Sequence, residues 1–220
     1  NHFVESSYND SIQIIMKSKA IGHEKYLKEI PYSDFMVFDQ IWKHLPSHIQ
    51  LQISNSSAIR YALLFKTPSE IDVFCNRGTS GIDGSTSTAI GAAVANNKPT
   101  VLITGDISFL YDSNALWNNY IPENFKIILI NNGGGGIFRI LPGHNETPVF
   151  NTFFETEHCL TAEHLAKMYR FDYETIANEM ELALKLKAFF DNKNKGILEI
   201  FTPTKINQDI LKQYFKAVTI

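Results

Sequence analysis

Cysteine is scarce in this chain of 220 residues: Cys75 and Cys159 are the only two, far apart and outside any CxxC or CxxxC spacing. The spacing that marks zinc or redox centres is therefore missing, and both read as reduced packing residues of a cytoplasmic protein. No apolar run approaches the roughly 18 residues of a membrane span, and no basic-then-apolar leader opens the chain, so neither a span nor a signal peptide is expected. Positive charge is not in excess. Twenty Lys and Arg stand against 23 Asp and Glu, for a net charge of -3, and they are scattered, which argues against a nucleic-acid partner. No Gly-Lys-Ser/Thr triplet exists, which excludes a P-loop, and "GGGGIF" and "GTSGIDG" both miss the G-x-G-x-x-G order of a dinucleotide fingerprint. There is no solenoid-like repeat. The initiator Met is absent too: the chain starts at Asn1 and reads as part of something longer, with function divided between parts.

What is there is ordinary globular material, 44% hydrophobic and 20% charged, enough for one substantial core. Residues 1–32 read as a lead-in segment with one weakly amphipathic helix ending before Pro31. From residue 33 onward helices and strands alternate. Helices are expected at "SDFMVFDQIWKHL", "SSAIRYALLF", "STSTAIGAAVAN", "SNALWNNY", "TAEHLAKMYR", "EMELALKLKAFFD" and the C-terminus, and strands at "IQLQIS", "IDVFCN", "TVLITGD", "KIILINN", "FDYETI" and "GILEIFT". Strands such as "TVLITG" and "KIILI" are apolar at consecutive positions, as when helices cover both faces of a parallel sheet. The fold class is α/β, a doubly wound parallel sheet. "LPGHNETPVFNTFFETEH" is the least regular stretch and reads as a long functional loop or lid.

Ligands of such sheets bind beyond the carboxyl ends of the strands, which directs attention to "NRGTSGIDG", "GDISFLYDSN" and "NNGGGGIF". Asp106 and Asn132 each follow an apolar strand. Neighbouring strand ends lie about 5 Å apart, so a carboxylate and an amide oxygen leaving them can meet on one cation. The short helical turn after Asp106 offers backbone N–H groups to an anion. Mg²⁺ takes about six oxygens and usually draws only some from protein, with phosphate and water supplying the rest. Glycines in the third loop let the backbone turn sharply, aim a carbonyl at the ion and leave space for a phosphate. Taken singly, each element has a plainer reading: a Gly-Asp cap, an Asn-Gly turn, a glycine hinge. Their pairing at matched strand ends, one α/β unit apart, is what argues for a site.

A Gly-Asp pair followed some 25 residues later by Asn-Asn resembles the signature of thiamine-diphosphate enzymes, with Ile107 in place of the usual third glycine. Together with "NRGTSGIDG" and "NNGGGGIF-ILP", the pattern is similar to the 2-succinyl-5-enolpyruvyl-6-hydroxy-3-cyclohexene-1-carboxylate synthase family of menaquinone biosynthesis. It covers that family's diphosphate-binding domain, residues 33–220, without the pyrimidine-binding and central domains. The resemblance implies decarboxylation of 2-oxoglutarate on thiamine diphosphate and addition of the product to isochorismate. It places Mg²⁺ or Mn²⁺ on Asp106, Asn132 and the Gly134 carbonyl, with Gly105, Ile107, Ser108 and Gly135 beside the diphosphate. Ser80, Gly81 and Ile82 would line the middle of the cofactor, Ile82 as the wedge that bends it. Ile137, Phe138 and Leu141 would form an apolar wall at the reaction centre. Ser56, Arg60 and Arg77 match substrate positions, where a guanidinium fork suits a carboxylate. Without the resemblance, Ile82 reads as a core contact and the two arginines as surface ion pairs.

Arg139 has two readings, a further carboxylate contact or a solvent-facing residue. None of the seven histidines falls in a motif that asks for one, and His44, His48, His144 and His158 read as surface or loop residues. The glutamate that activates the cofactor in this family lies on another domain, usually of a partner chain. A homodimer or homotetramer is therefore implied, and no synthase activity is expected from these residues alone. Two alternatives stand beside this reading: another thiamine-diphosphate decarboxylase or carboligase, and a non-catalytic binding module of the same fold.

Overall fold

The computed structural model describes residues 7–141, 143 and 145–218; His144 lies outside the described residues. Six parallel strands form one sheet in the order β2-β1-β3-β4-β6-β5: β1 (Gln50–Ile53), β2 (Asp72–Cys75), β3 (Thr100–Gly105), β4 (Phe125–Asn131), β5 (Asp172–Ile176) and β6 (Gly196–Phe201). The helices are α1 (Tyr8–Leu27), α2 (Asp34–His44), α3 (Ser57–Ala62), α4 (Ser85–Ala95), α5 (Asp106–Tyr111), α6 (Ile137–Ile140), α7 (Glu163–Met168), α8 (Glu179–Asp191) and α9 (Asn207–Ala217). Among the described residues no helix is long and apolar enough to cross a membrane.

Alternation along the strands explains why both faces are covered. Val101, Ile103, Ile128 and Ile130 point into a core shared with α2, α3, α8 and α9, through residues such as Phe35, Ala58, Leu186 and Leu211. Leu102, Ile127 and Leu129 point the other way, against Ala89 of α4, Phe109 of α5 and Ala166 of α7. Successive side chains of a strand face opposite sides, so strands buried on both sides must be apolar throughout. Ser33 caps α2 by accepting from the Met36 amide at 3.4 Å, and Asn178 caps α8 by accepting from the Glu181 amide at 3.3 Å, which ends both lead-in loops cleanly.

Within the lead-in segment, Tyr8–Leu27 form the helix α1, with no buried residue of its own. Its last turns dock on α9: the Tyr26 hydroxyl donates to the Ile210 carbonyl at 2.6 Å, and His23 Nδ1 lies 3.0 Å from the Tyr214 hydroxyl. One local expectation is corrected. "SNALWNNY" forms a 3₁₀ turn at Ser113–Trp117 rather than an α-helix, since Asn118 and Asn119 are poor helix formers and Pro122 follows closely. The irregular stretch after residue 141 contains a π-helical turn, Phe150–Glu155, which ends at Thr156 with φ 51°.

The strand order matters for function. From β1 the chain moves outward to β2, then returns to the opposite side of β1 for β3. The connections leaving β1 and β3 therefore part to opposite faces, opening a crevice at their carboxyl ends.

Candidate functional site

Asp106 stands at the end of β3 and is almost fully buried. Its Oδ1 accepts the Ile107 amide at 2.7 Å, and its Oδ2 accepts the amides of Gly133 and Gly134 at 2.9 and 3.0 Å. The carboxylate thus ties the β3 end to the glycine loop after β4. The Ile107 N–H that the sequence reading offers to an anion is taken by Asp106 itself. His158 Nε2 lies 3.3 Å from Oδ2, within ion-pair range. Asp106 raises the His158 pKa above the usual histidine range, against the cost of burial. His158 is in a loop, as expected, but turned inward onto the site, and no sequence pattern reveals that.

Asn132, two residues past the shared edge of β3 and β4, is also buried. Its Nδ2 donates to Asp34 Oδ2 at 2.9 Å, while its Oδ1 is buried with no protein partner. Asp34, the first residue of α2, also accepts the Thr202 hydroxyl on Oδ1 at 2.5 Å. Burial pushes the Asp34 pKa up to about 6, against the hydrogen bonds from Thr202 and Asn132. Asp34 is a functional candidate that the sequence reading missed; an acid at a helix start reads as a cap or dipole partner.

The four glycines answer mainly to a strap that crosses them. A Cβ on Gly134 would lie 2.7 Å from the backbone oxygen of Glu155, and one on Gly135 3.1 Å from that of Phe154. The Gly135 amide donates to the Glu155 carbonyl at 2.5 Å, and the His158 amide to the Gly133 carbonyl at 3.1 Å. The space read as room for a phosphate is, beside Gly134, filled by chain. Arg139 holds the strap: its Nε and Nη2 grip both carboxylate oxygens of the fully buried Glu155. Glu146 and Glu157 approach the same guanidinium at 3.4 and 3.7 Å. The solvent-facing reading of Arg139 does not hold, because the side chain is buried and its Nε and Nη2 are taken by acids of its own chain.

Across the crevice, the loops after β1 and β2 are joined by Asn55. Its Nδ2 donates to the carbonyls of Asn76 and Gly81, the latter at 2.6 Å, and its Oδ1 accepts from Arg77 Nη1 at 3.2 Å. Ser56 sits at φ 69°, and its carbonyl accepts from Arg60 at 2.7 Å. Both arginines are exposed. Ser80, also exposed, donates to the Arg77 carbonyl at 3.3 Å.

One cavity of about 50 Å³ collects Ser56, Ile82, Gly105, Asp106, Ile107, Ser108, Asn132 and Gly134, with Asp34, Asn55 and Tyr61 among its further walls. That volume holds only a few waters. Phe138 and Leu141 line a second, more open cleft of about 320 Å³, with Val149 and Phe154. Arg60, Arg77, Ser80, Gly81, Gly135 and Ile137 line neither, although the first four border the crevice through the loops just described. Among the described residues no three His, Cys, Asp or Glu side chains gather as a metal centre. Asp106 and Asn132 bring one carboxylate and one amide oxygen to the first cavity, which Gly134 also lines, and the Gly134 carbonyl accepts the Gly136 amide at 3.0 Å.

Residues 55–200 match the family described as thiamine pyrophosphate enzyme, C-terminal TPP binding domain. The chain is 64% identical over 216 residues to the 2-succinyl-5-enolpyruvyl-6-hydroxy-3-cyclohexene-1-carboxylate synthase of Flavobacterium psychrophilum, covering 98% of this chain and 39% of that protein. It is 41% identical to the synthase of the same name from Bacteroides fragilis, covering 85% and 34%. A thiamine diphosphate-dependent 4-hydroxybenzoylformate decarboxylase of Rhodococcus jostii superposes with a TM-score of 0.62 at 20% identity, over 80% of this chain and 33% of that one. At that identity the likeness speaks for the fold. The chain spans about two fifths of the length of the curated relatives it matches.

Proposed function

Because the chain belongs to the family of thiamine pyrophosphate enzyme C-terminal TPP-binding domains, we propose that its crevice holds the diphosphate of thiamine diphosphate through one divalent cation. We further read the chain as the C-terminal part of a cytoplasmic, homo-oligomeric synthase that joins decarboxylated 2-oxoglutarate to isochorismate. One observation carries the metal assignment: Asn132 Oδ1 is buried without a protein partner in the same cavity as Asp106 and Gly134. A buried acceptor with no donor is costly unless something absent from the protein fills it. Mg²⁺ or Mn²⁺ suits a set made only of oxygens. Asp106 keeps free lone pairs even after its backbone contacts, and Gly134 contributes a carbonyl.

When bound, the cofactor supplies a carbanion-stabilising thiazolium; the residues of this chain bind, orient and exclude water. Asp106, Asn132 and Gly134 anchor the ion that neutralises the diphosphate. Ile82, half-buried on the cavity wall, would be the apolar side chain against which the cofactor is bent. Arg77, steadied by Asn55, and Arg60 with Ser56 present cationic and polar groups to substrates that carry two carboxylates each. Phe138 and Leu141 keep the neighbouring cleft apolar.

The test is calorimetry with thiamine diphosphate and Mg²⁺ on the whole polypeptide that carries this chain, followed by an assay with 2-oxoglutarate and isochorismate. Saturable, Mg²⁺-dependent binding and consumption of both substrates are expected. Binding without turnover of isochorismate would move the protein to a different carboligase, and no binding would leave a non-catalytic module.

A further inference from the structure

We propose that Asp34 is a positioning residue for the metal site, acting by fixing which end of the Asn132 amide faces the cavity. An asparagine amide can turn over at little steric cost, and only one of its two orientations presents an oxygen to a cation. An ionised carboxylate can only accept. Asp34 Oδ2, 2.9 Å from the amide, therefore demands the NH₂ end and leaves Oδ1 for the cavity, where it has no partner. Asp34 is itself held: Thr202 donates to its other oxygen at 2.5 Å, and its backbone amide donates to Asn207 Oδ1 at 3.0 Å. The Asn132 backbone is fixed in turn, since the Thr204 hydroxyl donates to its carbonyl at 2.6 Å. The start of α2 thus holds the Asn132 side chain, while the loop after β6 holds its backbone. Partners of this outer kind typically contribute 10- to 100-fold to metal affinity, by orientation rather than contact.

The inference rests on the assignment of a divalent ion to Asn132 Oδ1. Its test is a double-mutant cycle in the whole polypeptide, read as Mn²⁺ affinity in the presence of thiamine diphosphate from the electron paramagnetic resonance signal of free Mn²⁺. Asn132→Ala and Asp34→Ala are each expected to weaken Mn²⁺ about tenfold or more, and the double variant is expected to be no weaker than Asn132→Ala alone. Asp34→Asn, which can offer Asn132 either an oxygen or an NH₂, no longer enforces the orientation and should lose part of the affinity that Asp34→Ala loses, whereas wild-type affinity in Asp34→Asn overturns the inference. A merely structural Asp34 would weaken binding equally with or without Asn132, and that result overturns the inference. So does an unaltered affinity in Asp34→Ala while Asn132→Ala is impaired. An Asn132→Ala variant that binds Mn²⁺ normally overturns the metal assignment and this inference together. A crystal of the wild-type protein with Mn²⁺ and thiamine diphosphate gives a reading independent of how the variants fold. Asp34 Oδ2 on Asn132 Nδ2 with the ion on Oδ1 supports the inference, and Asp34 turned away from Asn132 overturns it.

Discussion

The Ser108 hydroxyl donates a 2.6 Å hydrogen bond to the carbonyl of Ile82, so the first turn of α5 holds the backbone of the residue assigned as the cofactor wedge. The side chain that the resemblance placed beside the diphosphate is, in this structure, committed to the loop before α4. Ser108→Ala removes a neutral hydrogen bond worth about 1 kcal/mol. Steady-state kinetics of the whole protein should show kcat about tenfold lower, the equivalent of about 1.4 kcal/mol of lost positioning, with little change in KM. An unchanged kcat would mean that Ile82 is held by other contacts.

Asp106 has two tasks, and its removal should reveal both. Asp106→Ala should abolish Mg²⁺-dependent cofactor binding in calorimetry. It should also lower stability in denaturant titration by about 1–3 kcal/mol for each buried amide left without an acceptor, since Gly133 and Gly134 both donate to it. Asp106→Asn keeps one acceptor for those amides and should lose less stability while still losing the ion. Cofactor affinity that survives both substitutions would count against the metal assignment.

Gly134 and Gly105 should respond oppositely to alanine. At Gly134, with φ 156° and the Glu155 carbonyl 2.7 Å from an added Cβ, the strap must shift, at a cost of about 1–3 kcal/mol. At Gly105 the added carbon meets nothing within 4 Å, so stability without ligand should change by no more than about 0.5 kcal/mol. Thermal melts of the two variants decide this.

Arg139→Ala strands the carboxylate of Glu155 in the interior. Breaking a buried pair from one side typically costs about 3–5 kcal/mol, and equilibrium unfolding should show a loss of that order. Hydrogen exchange at the Gly135 amide, which donates to the Glu155 carbonyl, should quicken in the same variant. Slow exchange at Gly135 despite lower stability would mean that the strap is held without this pair.

Arg77 is exposed and its guanidinium donates through Nη1 to the Asn55 amide oxygen, which leaves its other N–H groups to meet a ligand. Arg77→Ala should raise KM for the dicarboxylate substrates while leaving the dissociation constant of thiamine diphosphate nearly unchanged. Equal losses in both would place Arg77 at the cofactor instead.

Most of the fold was legible because strand and helix signals here are local. The consecutive apolar residues of "TVLITG" and "KIILI", and the capped period of α8, mark elements whose burial follows from their own sequence. Asp106 and Asn132 could be paired in advance because both end apolar strands, and β3 and β4 do lie side by side. The inward turn of His158, the pairing of Arg139 with Glu155 and the contact of Asp34 with Asn132 were not legible. Each depends on a partner that is distant in the chain or on a loop without periodicity: Asp34 and Asn132 are 98 residues apart.

The amino-acid sequence by itself determined a parallel α/β sheet with an acid, an amide and a run of glycines at its carboxyl edge, because hydrophobic periodicity and turn chemistry act over a few residues. Tertiary structure alone decided which end of the Asn132 amide faces the cavity and what fills the space beside Gly134. Those outcomes are set by hydrogen bonds and steric contacts between segments that meet only when the sheet is assembled, and no local pattern encodes such meetings.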